Sequence, residues 1–129
     1  MKLPILAAAA VLAVLTAPGA AADAPAKPKP QDDIECAAWA SVTGSYAEDD
    51  TQGDSFAMAF NYFLGRYQAV AGENFGDALT AALNAIDTDP ATYERYNQAC
   101  MPRWQAHGQA LQAWADSVSG PAAEDTPES

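Results

Sequence analysis

The fold this chain predicts is all-α: a small bundle of four to five short helices stapled by one disulfide. Three observations point to it. Apolar and aromatic residues recur at steps of three and four, the spacing that puts side chains on one face of a helix. Valine is sparse and no stretch alternates apolar with polar residues as a half-buried strand does, whereas alanine, the best helix former, abounds. The third observation is a single pair of cysteines, Cys36 and Cys100.

Residues 1–22 have the layout of a secretory signal peptide. Met1-Lys2 is a positive start, residues 3–15 are apolar, Pro18-Gly19 breaks the run, and Ala20-Ala21-Ala22 offers a small-residue cleavage site. The apolar run of about 13 residues is short of the roughly 20 that span a bilayer. No cysteine stands at the cut to carry a lipid. Cleavage is expected after Ala22, or after Ala24, releasing a chain with no membrane attachment into the periplasm, or outside a cell that lacks an outer membrane. In such an oxidising compartment Cys36 and Cys100 are expected to bond to each other. The loop they close gives roughly 4 kcal/mol in the chain-entropy account. Residues 23–31 read as a Pro/Ala-rich linker, extended because proline alternates along it. Residues 120–129 read as a disordered acidic tail, which leaves 32–119 as the helical domain.

Within that domain the first helix is expected from a cap at Asp32 or Asp33 to about Ser45, with Ile34, Ala38 and Val42 every four residues beside Cys36 and Trp39. An acidic loop follows over 46–53. The second helix, capped by Thr51 or Asp54, carries Phe56, Phe60, Phe63, Tyr67 and Val70 on one face and ends at Gly72. Gly65 inside it suggests a close approach by another helix. Asn74 caps a short third helix with Leu79, Leu83 and Ile86 in a stripe. Asp89-Pro90 is a cap followed by proline in the first turn, opening a fourth helix with Tyr93, Tyr96 and Cys100. Pro102 is expected to kink or break it. A last helix then shows Trp104, His107, Leu111, Trp114 and Val118, stepping three and four, until Gly120-Pro121 stops it.

The formal charge is −11, from 17 acidic and six basic residues. Removal of residues 1–22 takes away Lys2 and no acid. Between Ile34 and Val118 there is no lysine, and Arg66, Arg95 and Arg103 are the only full cations. Such a surface is a poor partner for nucleic acid, which needs basic side chains, and for an anionic membrane. It suits solubility or a basic protein. No motif for an enzyme is present, so the chain reads as non-enzymatic and without a cofactor. His107, the lone histidine, sits in an apolar stripe and reads as a packed residue rather than a base or ligand. Too few His and Cys exist for a zinc site. The acidic residues Glu48, Asp49, Asp50 and Asp54 lack calcium-loop spacing and read as a solvated loop. Arg66 has two readings: an ion-pair anchor for a buried or interface carboxylate, or an exposed arginine with its stem packed on aromatics. Phe56, Phe60, Phe63, Tyr67, Trp104, Leu111 and Trp114 are core by spacing, and form a candidate apolar partner surface wherever the fold opens.

Three segments carry a resemblance. Ile34-Glu35-Cys36-Ala37-Ala38-Trp39, Asn61-Tyr62-Phe63-Leu64-Gly65-Arg66-Tyr67 and Tyr96-Asn97-Gln98-Ala99-Cys100 resemble the two cysteine helices and the aromatic-Gly helix of the HdeA/HdeB family of periplasmic acid-stress chaperones. The chain differs from that family in lacking core lysines and in its longer helix after Cys100. The resemblance implies a homodimer at neutral pH that opens in acid and offers apolar surface to unfolding clients. Carboxylates protonate at about pH 4 in peptides, so acid inverts the sign of this chain's charge. A different expectation comes from the charge alone: an acidic inhibitor or immunity-like protein that masks a specific basic partner.

Overall fold

The computed structural model describes residues 27–120. The signal-peptide and cleavage-site expectations, most of the linker and the tail beyond Gly120 lie outside them. Four helices follow in order: α1 (Pro30–Ser45), α2 (Asp50–Ala71), α3 (Gly76–Thr88) and α4 (Pro90–Ser119). The architecture is the all-α disulfide-linked bundle that the spacing predicts, and among the described residues the helix count is four.

The missing fifth helix is explained by Pro102. It lies inside α4, which runs unbroken through it for 30 residues. Proline removes the hydrogen bond from position 102 to the Gln98 carbonyl and crowds that carbonyl. Both residues are exposed, so water takes the freed carbonyl and the helix continues. Tertiary contacts on either side, at Cys100 and at Arg103 and Trp104, hold the two halves in one rod.

Helix starts differ from the expected caps by a few residues. α1 opens earlier, inside the expected linker. Pro30 occupies its first turn, and the Asp32 carboxylate accepts from the Lys29 backbone N–H at 2.7 Å, so Asp32 serves the cap from inside the helix. α2 is capped by Asp49, whose side chain accepts from the Gln52 N–H at 2.8 Å, rather than by Thr51 or Asp54. α3 starts after Phe75, not Asn74. Asp89 caps α4 as expected, accepting from the Ala91 N–H at 3.0 Å ahead of Pro90. Gly72 ends α2 with φ of +90°, a conformation that strains any residue with a Cβ.

α1 is the central element and packs against all three others. Ile34, Cys36, Ala37, Ala38, Trp39 and Ala40 are all buried, so nearly its whole circumference is covered. Trp39 organises the core. Its ring meets Phe56 edge-on at 5.6 Å and Phe63 at 6.4 Å, both from α2, and its indole N–H donates to Asn97 Oδ1 of α4 at 3.0 Å. One turn later Thr43 Oγ1 donates to the Trp39 carbonyl and lies 3.0 Å from the Tyr93 hydroxyl. Every buried side-chain nitrogen or oxygen among the described residues has a partner. Gly65, expected at a helix crossing, faces open space. The close approach is at Gly44, where an added Cβ would stand 3.1 Å from the Phe56 Cβ.

Candidate functional site: a buried carboxylate between two arginines

The cysteines set the geometry. α1 and α4 run antiparallel, joined by the disulfide between Cys36 and Cys100, whose Cα atoms are 5.3 Å apart. Asp33 precedes Cys36 by one turn and Arg103 follows Cys100 by one turn. In antiparallel helices bonded at the cysteines, these two residues fall at the same level. The Arg103 Nη2 donates to Asp33 Oδ1, and Nη1 donates to Cys36 Sγ at 3.3 Å. The guanidinium also stacks over the Phe63 ring, 4.9 Å from its centroid.

Arg66 of α2 reaches the same oxygen. Its Nε donates to Asp33 Oδ1 at 3.2 Å. Asp33 is 3% exposed, so one carboxylate oxygen inside the bundle receives a cation from each of two helices. A charge cannot be buried cheaply unless it is paired and hydrogen-bonded, and two guanidiniums meet that requirement. The hydrogen bond that Arg66 donates to the Asp33 carboxylate raises the Arg66 pKa above its ordinary value, against the lowering effect of burial. Of the two readings of Arg66, the geometry is that of the ion-pair anchor. Its partner Asp33 is placed by the sequence reading at a helix cap, and the structure puts it instead at the centre of a three-helix tie.

Beside this tie lies an aromatic seam between α2 and α4. Tyr62 stacks on His107 with ring centroids 3.9 Å apart, Trp104 lies 5.9 Å from Tyr62, and the Arg66 guanidinium is 5.7 Å from the Tyr62 ring. His107 is thus a half-buried stacking residue. The expected partner-surface residues do not form one surface in the folded protein. Phe56 and Phe63 are buried in the core, and Phe60, Tyr67 and Trp104 are half-buried against it. Leu111 and Trp114 are exposed on α4. Val70, expected on the packed face of α2, is exposed as well.

A cleft of about 800 Å³ lies between the end of α1, α3 and the start of α4. Its wall includes Asp87, Tyr46, Tyr93 and Ser45, whose hydroxyl donates to the Val42 carbonyl. That set pairs no nucleophile with a base. Among the described residues no group of three or more His, Cys, Asp or Glu could hold a metal ion, and no helix is long and apolar enough to cross a membrane.

On the other side of the disulfide, burial pushes the Tyr96 phenol above its ordinary pKa of 10.0; the Glu35 carboxylate adds to the rise and Arg95 opposes it. A raised folded pKa means stability that is complete below the unfolded value and is lost as pH rises through the folded one. Urea midpoints are therefore expected to fall above pH 10.0. Tyr96→Phe should flatten that alkaline limb, and an identical limb in the variant would show that another group controls it.

Comparison of the chain with known protein families, curated proteins and solved structures returns no match.

Proposed function

We propose that the chain is an exported, non-enzymatic protein of the periplasm that binds unfolding proteins when acid loosens its bundle. The observation that carries this reading is the Asp33 tie. Neutralising one carboxylate leaves two guanidiniums facing a neutral acid and removes the charge-assisted bonds that join α1 to α2 and reinforce α1 against α4. The two contacts then fare differently. α4 stays bound to α1 through the disulfide. α2 has no disulfide to α1; it is tethered only by the short 46–49 connection and held by its packing at Phe56, Ala59 and Phe63. Acid thus lifts α2 from a disulfide-joined pair, and uncovers Phe56, Phe60 and Phe63 together with Trp39, apolar surface that an unfolding client can bury. The three-segment resemblance to acid-stress chaperones supports the same reading.

The test mixes purified protein with an acid-labile client at about pH 2 and follows light scattering. Near-stoichiometric suppression of client aggregation is expected, with a reversible change in tryptophan fluorescence and in binding of an apolar dye, as for acid-expanded states. A protein that stays native in acid and leaves the scattering unchanged would end this reading.

A further inference from the structure

α4 is longer than the bundle it belongs to. His107 is its last residue in ring contact with another helix. Beyond it, to Ser119, every side chain but Ala115 is exposed. Those twelve residues extend the helix by about 18 Å at 1.5 Å per residue. They are not uniformly polar. Leu111, Trp114 and Val118 are 52%, 64% and 62% exposed, and their steps of three and four place them in one stripe, continuing the row of Trp104 and His107. An exposed tryptophan flanked by two aliphatic side chains at heptad spacing is the pattern that receives an amphipathic helix.

The charge around the stripe selects the partner. After His107 the chain carries Asp116, Glu124, Asp125 and Glu128, and no lysine or arginine. The closest cations of the bundle, Arg66 and Arg103, are spent on Asp33. The whole chain stands at −11, so a second copy approaches against like charge, while a basic segment is drawn in. We infer that the exposed stripe Leu111–Trp114–Val118 of α4 is a docking surface for a cationic amphipathic helix of a partner protein. The partner's apolar side chains meet Trp114 and its neighbours, and its lysines or arginines are drawn by Asp116 and by the net negative charge of the chain. The surface stands open in the folded protein, and is separate from the faces of α2 that acid uncovers. It therefore works at neutral pH whether or not the bundle opens in acid.

The probe is a fluorescently labelled helical peptide of leucine and lysine at three-four spacing, titrated at pH 7 by anisotropy. A leucine–glutamate peptide of the same pattern is the counterpart. Binding of the lysine peptide is expected, weaker by about tenfold or more between 0.05 M and 0.5 M salt. The double variant Leu111→Ser, Trp114→Ser changes only exposed side chains; its fold is checked by circular dichroism. It should lose about tenfold or more in affinity, as expected when an aromatic anchor is removed. Equal affinity in the variant would show undirected charge attraction and overturn the proposal. So would equal binding of the glutamate peptide, or a sedimentation result showing that two copies cover the stripe.

Discussion

Asp33→Asn is expected to destabilise the protein at pH 7 by about 2–3 kcal/mol, somewhat less than the roughly 3–5 kcal/mol that breaking a fully buried ion pair costs. Asparagine keeps the shape and one acceptor, but strips the charge from a site that two guanidiniums share. The discount from the full cost comes from the arginines. Arg66 is 40% exposed and Arg103 22%, so both can turn partly to water once Asp33 is neutral. For a domain of this size the loss corresponds to a fall in Tm of roughly 10–20 °C. Thermal melts at pH 7 followed by circular dichroism would measure it. The variant also reproduces the neutralised carboxylate without acid, so it should bind apolar dye at pH 7 where the parent does not. Replacing Arg103 by Met should cost more than replacing Arg66 by Met, because Arg103 is the more buried and also touches Cys36 and Phe63. An unchanged melt in Asp33→Asn would remove the tie from any account of the fold.

The second large effect is expected at the disulfide. Replacing Cys36 or Cys100 by serine should cost about 2–5 kcal/mol, and should change the character of the acid state as well as its onset. With the bond intact, α1 and α4 remain paired when α2 leaves. Without it, the Trp39–Asn97 and Thr43–Tyr93 hydrogen bonds and the Arg103–Asp33 pair must hold that contact. Acid should then produce a fully unfolded chain rather than a compact one. Urea titration at pH 7 and the hydrodynamic radius at about pH 2 measure the two parts. Reagents for free thiols should find none in the untreated protein. A serine variant as compact in acid as the parent would show that the bond does not hold the opened state together.

Much of this architecture is written in the sequence at short range. The step of three and four at Phe56, Phe60, Phe63 and Tyr67 is a local property of α2, and Asp89-Pro90 is a complete helix start in two residues. Reading the cysteines as bonded needs one more step, the expected compartment. Failures begin where the deciding physics is not local. Pro102 interrupts a helix only when the segments on either side are free to diverge, and here Cys100 and Trp104 are both anchored. Val70 continues the spacing of its stripe past the point where α2 has a neighbour to pack against. Asp33 is the instructive miss. A carboxylate near a helix start satisfies the local rule for a cap, and that rule was enough to hide its role. A non-local signal was nevertheless present: an acid one turn before one cysteine and a base one turn after the other become neighbours if the helices are antiparallel. Arg66 stood out because cations are scarce in the core, but its partner could be found only from the fold.

The bond between Cys36 and Cys100 also turns most of the domain into a ring. It spans 64 positions of sequence, and α2, α3 and both turns that flank α3 lie within that span. A protease that cuts at the turn around Gly72 or at the α3–α4 corner therefore severs the backbone without releasing a fragment. The nicked molecule keeps its mass on a non-reducing gel and falls into two pieces only when reductant is added. Damage inside the ring is thus retained in place, with the two halves still at high local concentration, whereas a cut in α4 beyond Arg103 sheds the exposed end of the helix outright.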